Sequence, residues 1–286
     1  MEVSTRISLR WIFAIGPLLW LTLTLPLAAD PPATDPPRSL PRGHAHNDYR
    51  QAKPLTGALD LGFTSIEVDV FPVEGKLLVG HDEHELREDR DLASMYLDPI
   101  LARCTAAADA GRGPLPDGHR LTLLIDIKRN GARTLELILP MLAPLRPWLR
   151  RVENGKIIDG PIEVILSGSR PISKVQALSN RPVFIDGRIS DLGRGIPVEL
   201  MPLVSSSMQP ALGTLGLTGI DESARKRLAA LVQRTHGEGR RLRFWGHVES
   251  RAVWKALVEA QVDHVGTDLP RSLAKWLRQN DPHRED

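Results

Sequence analysis

The sequence has 286 residues, 42% of them apolar and 25% charged, with a formal charge of +2. That length and apolar share fill one large core or two ordinary ones and exclude disorder for the body. A near-neutral charge without a basic stripe, and an aromatic share of only 5%, exclude a nucleic-acid partner, which needs cationic clusters and stacking platforms.

Arg6 and Arg10 precede an uncharged apolar run over 11–27, followed by Ala28, Ala29 and a Pro-rich stretch. This reads as a signal peptide or an uncleaved N-terminal anchor over 1–29, then a linker over 30–39. The body, 40–280, is expected outside the cytoplasm, periplasmic or secreted, and membrane-tethered if the segment is retained. Residues 281–286 form a polar tail. Within the body, apolar runs of strand length at 40–44, 64–71, 121–128, 162–167, 183–187, 200–206, 242–246 and 264–267 alternate with helical patterns. The clearest helices are 92–110, 133–151, 221–236, 251–260 and 269–279, the last expected to be capped by Asp268. A short extra strand, 77–80, follows the Glu74-Gly75 turn. Cys104, the one cysteine, excludes a disulfide framework and a Cys-based zinc site, and in the first helix it reads as a buried structural thiol.

Eight strands alternating with helices predict an α/β fold, a single (β/α)8 TIM barrel. The rival, an open doubly wound sheet, lacks a Gly-x-Gly-x-x-Gly after its first strand. In the second strand Ile66, Val68 and Val70 share one face, leaving Glu67 and Asp69 on the other. In the 121–128 strand Leu123, Ile125 and Ile127 oppose Leu124, Asp126 and Lys128. The apolar set of a barrel strand faces the helices, so these polar residues point inward near the strands' C-terminal ends, where barrel active sites are built. Buried carboxylates cost several kcal/mol unless paired or metal-bound. Three at one mouth predict a cation.

The ordered set Gly43-His44-x-x-Asn47, Glu67-x-Asp69, Gly80-His81-Asp82 and Asp126-x-Lys128 resembles the superfamily of glycerophosphodiester phosphodiesterases, phosphatidylinositol-specific phospholipases C and sphingomyelinase D toxins. The His44–Tyr49 run, Ser94-Met95-Tyr96-Leu97-Asp98-Pro99, Phe244-Trp245 and Val262–Asp268 resemble the branch named for the fungal altered-inheritance-of-mitochondria proteins. The resemblance spans roughly 40–275. It implies catalytic histidines His44 and His81, a Mg²⁺ or Ca²⁺ ion on Glu67, Asp69 and Asp126, and substrate contacts from Lys128 and Trp245, with Asn47 and His46 beside them. The His-Arg-Gly and Glu-Asn-Thr motifs of the glycerophosphodiesterases proper do not occur, and the third carboxylate is Asp, as in the sphingomyelinase D pattern.

Phosphodiester hydrolysis needs a neutralised phosphoryl oxygen, a general base and a general acid. A carboxylate-held cation with Lys128, and His44 with His81, answer those needs. The expected substrate is a small-molecule or lipid phosphodiester, the latter reached at a membrane surface. Two other functions fit parts of the pattern. A metal-dependent amidohydrolase would use the His44-x-His46 pair as zinc ligands, but it wants histidines on middle strands, and none occurs between His119 and His236. A non-catalytic exported binding protein would be expected to have lost one of the six chemistry-bearing residues, and all are present. His84 and its acidic neighbours read as a solvated loop, and His247 and Arg170 as weaker pocket candidates.

Overall fold

A computed structural model describes residues 38–281 except Thr218. The expected signal or anchor segment, most of the linker and most of the polar tail lie outside the described residues. The chain enters through β1 (Leu40–Ala45), and α1 (Thr56–Asp60) leads to β2 (Phe63–Val73), which turns back as β3 (Lys76–Val79). Next come α2 (Asp98–Asp109), β4 (Leu121–Ile127), α3 (Gly131–Met141), the hairpin β5 (Arg151–Glu153) and β6 (Lys156–Ile158), then β7 (Ile162–Gly168) and α4 (Ile172–Gln176). The circuit finishes with β8 (Phe184–Gly187), β9 (Leu203–Ser207), α5 (Met208–Leu212), α6 (Glu222–Gly237), β10 (Arg241–Trp245), α7 (Arg251–Glu259), β11 (His264–Thr267) and α8 (Pro270–Asn280).

Nine strands form one sheet in the order β1-β11-β10-β9-β8-β7-β4-β2-β3, and β1 also pairs with β2. Only β3 is antiparallel, so the other eight close into a parallel (β/α)8 TIM barrel. Strand alternation explains why it closes. Ile66, Val68, Val70, Leu123, Ile125, Ile127, Val164 and Leu166 are each 1% exposed or less, and they share one cluster with Ile100, Leu135 and Ile138 from the helices. Each such side chain contributes about 1.5–3 kcal/mol on burial. On the opposite parity a second cluster joins Leu124, Ile165, Phe184 and Leu203 to Val152 of β5, with Ile157 of β6 packed against it. The hairpin therefore stops the N-terminal end of the barrel with apolar side chains.

Two helical expectations change. The 133–151 helix ends at Met141; a 3-10 segment, Ala143–Trp148, follows, and the chain becomes extended at Leu149. Pro140, Pro144 and Pro147 explain the break, because each lacks the N–H that a continuing helix needs. The 92–110 helix opens with a π-helical turn, Ala93–Leu97, before α2, whose first turn holds Pro99. Cys104 is buried, and that burial pushes its thiol up to about 11, fitting an inert packing residue.

Candidate active site

β2 and β4 pair in a register that sets Asp69 opposite Asp126, so both carboxylates project from one level of the C-terminal mouth. Glu67 lies one inward position below Asp69. The three carboxylates each offer an oxygen within 4.8 Å of the others. Lys128, just past β4, bridges two of them: its Nζ is 2.7 Å from Asp69 Oδ2 and 2.8 Å from Asp126 Oδ2. The Tyr49 hydroxyl donates to the same Asp69 oxygen at 2.8 Å. Asp69 Oδ1 is buried with no hydrogen-bond partner among the described residues. Burial, then repulsion by Glu67, pushes Asp69 up to about 6 against the pull of Lys128.

Glu67 is held by a different cation. Arg243, buried on β10, donates Nη2 to Glu67 Oε2, and His44 Nε2 meets the same oxygen at 3.0 Å. Burial raises this carboxyl's pKa, but the Arg243 charge and the His44 hydrogen bond outweigh it and hold it well below the usual range. Lys128 and Arg243 thus face three carboxylates, one negative charge in excess. That excess and the orphaned Asp69 oxygen suit a hard divalent cation with oxygen ligands. The residues present fit such an ion.

The histidines separate. His44 is 0% exposed, with Nδ1 2.7 Å from Ser65 Oγ and Nε2 on Glu67. Burial, then the Arg243 charge, lowers its pKa to about 4. His46 is 28% exposed, and its Nδ1 lies 2.9 Å from Asp268 Oδ1. Its hydrogen-bonding contacts to described residues are all made through Nδ1. Burial lowers its pKa, but the Asp268 hydrogen bond and the Glu67 charge outweigh that, and the net shift is upward. The two imidazoles bond to different carboxylates, so His44-x-His46 does not converge as an amidohydrolase pair would. His81 is half-exposed, its Nδ1 3.2 Å from Asp82 Oδ2. The N–H of Gly80 reaches the Asp69 carbonyl at 3.3 Å, tying the His81 loop to the strand end that carries Asp69. Asn47 stands beside His46, with its Oδ1 3.1 Å from the Tyr49 hydroxyl oxygen. Trp245, 44% exposed, ends β10 two residues beyond Arg243. His84 lies with Asp82 and Glu85 in an exposed acidic group close enough to hold a cation, but solvated acids of this kind need none.

Sequence reasoning missed Arg243, although Arg241 and Arg243 alternate with buried Leu242 and Phe244, a period-two signal of inward cations. Asp268 does not cap α8; Leu269 takes the N-cap position without a side-chain bond, and Asp268 turns to His46 instead. Gly168 also went unread. Its φ is +65°, and a Cβ there would stand 2.3 Å from Asp126 Oδ1 and 2.3 Å from the Ile127 carbonyl. Gly168→Ala is therefore expected to lower cation affinity by roughly 10- to 100-fold, the scale seen when a ligand's support is disturbed. Isothermal calorimetry on the folded variant checks this, and unchanged affinity would show that Asp126 is not a ligand.

A closed parallel barrel thus carries an acidic cradle, a lysine across two of its carboxylates and histidines at one mouth. The description "AIM6-like phosphodiesterase domain" matches residues 40–186. An altered inheritance of mitochondria protein 6 homolog of Arthroderma benhamiae is 30% identical over 71% of this chain and 71% of its own length. The altered inheritance of mitochondria protein 6 of Eremothecium gossypii is 28% identical over 83% of this chain and 69% of its own. The chain belongs to the AIM6-like phosphodiesterase domain family. Among solved structures, a glycerophosphodiester phosphodiesterase from Agrobacterium tumefaciens aligns with a TM-score of 0.45 and 13% identity, covering 82% of this chain and 97% of that one.

Proposed function

We propose that this protein is a divalent-cation-dependent phosphoric diester hydrolase acting on glycerophosphodiesters or (lyso)phospholipids. The observation that carries the reading is the Glu67, Asp69 and Asp126 cradle, with its unpartnered buried oxygen and Lys128 across it. Mg²⁺ or Ca²⁺ held by these three residues would act as a Lewis acid toward a phosphoryl oxygen. Burial lowers the pKa of Lys128, but Asp126 and Asp69 outweigh it and raise it overall, keeping the ammonium charged for the phosphate. Of the β1 histidines, His46 is the better proton carrier. Both nitrogens of His44 are engaged in a sealed site, so His44 serves by orienting Glu67. With Asp268 accepting from Nδ1–H, the Nε2 lone pair of His46 is free to take a proton, and its raised pKa suits a base near neutrality. His81, half-exposed on the loop tied to Asp69, is the partner for the opposite proton transfer. Asn47 and Trp245 border the substrate.

Phosphorus NMR with a diester panel in Mg²⁺, Ca²⁺ or EDTA tests this reading. We expect cation-dependent cleavage, with His46→Gln slowing kcat by about 10²–10⁴-fold. Cleavage indifferent to EDTA would sink the cation assignment. Full activity of the His46 variant would return the base role to His44. The apolar run over 11–27 behind Arg6 and Arg10 supports an exported location, which cell fractionation tests.

A further inference from the structure

Resting on the phosphodiesterase reading, the geometry points to an alcohol-reading subsite on the β7–β9 wall of the mouth, formed by Ser167, Asp186, Arg188 and Ser205, which we infer takes a polyhydroxylated alcohol. Asp186 projects from β8 and is 0% exposed. Its listeners crowd one oxygen: Ser167 Oγ donates to Oδ2 at 2.8 Å and Arg188 Nη1 donates to it at 2.6 Å. The other oxygen, Oδ1, is buried with no partner among the described residues, and so is Ser205 Oγ on β9. Native proteins seldom leave such groups unpaired, because each forfeits its hydration. The β8–β9 pairing of Gly187 with Val204, continued by one residue, sets Ser205 beside Arg188.

The wall adjoins the cation cradle. Ser167 is the register partner of Asp126, so a diester phosphate at the cradle would direct one of its alcohols along β7 and β8. Arg188 is held in place for it. The Arg188 backbone N–H donates to Asp191 at 2.8 Å, Arg170 pairs with Asp191 at 3.3 Å and donates to the Asp186 carbonyl at 2.6 Å. The Arg188 side chain keeps 31% of its surface in solvent.

The charges of Asp186 and Arg188 cancel, so the wall does not suit a second phosphate. It offers an acceptor, a donor and two hydroxyls, which match groups that both give and take hydrogen bonds. Neighbouring hydroxyls of glycerol or inositol do this. A trimethylammonium group has no N–H or O–H and would leave Asp186 Oδ1 unpaired. A site built to bond a substrate hydroxyl discriminates strongly against an analogue lacking it.

Three 4-nitrophenyl phosphodiesters sharing one leaving group, with glycerol, inositol or choline as second alcohol, test the inference on the full chain with Mg²⁺ or Ca²⁺. We expect kcat/KM for a polyol ester to exceed that for the choline ester by roughly 10- to 100-fold. Asp186→Asn should bring that ratio to within about threefold. If Asp186→Asn does not fold, Ser205→Ala and Arg188→Lys carry the test, each lowering the ratio. Equal rates on all three esters by the wild type, or an unchanged ratio in the folded variants, would overturn the subsite while leaving the hydrolase standing. Cleavage of none of the three, with no diester of the wider panel cleaved, would remove the hydrolase reading and the subsite together.

Discussion

Replacing Arg243 by methionine is expected to destabilise the barrel by about 3–5 kcal/mol at pH 8 without added cation, the cost of stranding one partner of a buried ion pair. Both partners are nearly sealed, Arg243 at 2% and Glu67 at 5% exposure, so water cannot replace the lost guanidinium. The loss should shrink at acid pH. Arg243 is one of the causes that lower the pKa of His44, while Glu67 raises it. Without Arg243, the His44 pKa in the folded state should rise, and if it passes the unfolded value of 6.5, imidazolium takes over as partner of Glu67. That compensation is complete below the unfolded pKa and is lost as pH rises through the folded one. Urea unfolding of wild type and variant at pH 5.5 and 8 measures both effects. A second variant, Glu67→Gln with Arg243→Met, should recover much of the stability, because no buried charge is left alone. A pH-independent loss that the double variant does not relieve would mean that Arg243 acts by packing alone.

Asp69→Asn separates function from stability. The carboxyl moves from its ordinary 3.8 to about 6 in the folded chain, so between those values the native state binds more protons than the unfolded one. Native stability therefore falls as pH rises across that window, by about 2–3 kcal/mol on this count. A divalent cation held there would offset the cost, and the asparagine avoids it. The cation-free variant should thus be at least as stable as wild type at pH 7.5 while losing kcat by about 10²-fold or more, the scale of an electrostatic contact to developing charge. Melting curves with EDTA and with Mg²⁺ or Ca²⁺ give a second readout. The cation should raise wild-type Tm more at pH 7.5 than at pH 5, where protonated Asp69 competes with it, and should barely shift the variant. A variant much less stable than wild type in EDTA would show that Asp69 is kept as a structural partner of Lys128 and Tyr49. The expected pattern is that of a site whose stability is sacrificed for chemistry.

The sequence by itself determined the barrel, since strand alternation is a local property: Ile66, Val68 and Val70 on one side oblige Glu67 and Asp69 to take the other. It also determined that the carboxylates would converge, because Glu67, Asp69, Asp126 and Lys128 sit two residues apart on adjacent strands, where parity alone brings them to one mouth. Helix ends were less legible where prolines divided 133–151, and the β5–β6 hairpin went unread because three-residue strands carry too little periodicity. Tertiary structure alone decided what depends on closure. Arg243 and Glu67 are far apart in the chain, as are His46 and Asp268, and only the pairing of β1 with both β11 and β2 brings those charges into contact. Depth was decided the same way: His44 faces inward below the rim and is sealed, while His46, just beyond the strand end, bonds to described residues through Nδ1 alone. A one-dimensional motif orders these histidines along the chain, but closure of the barrel decides how deeply each is buried.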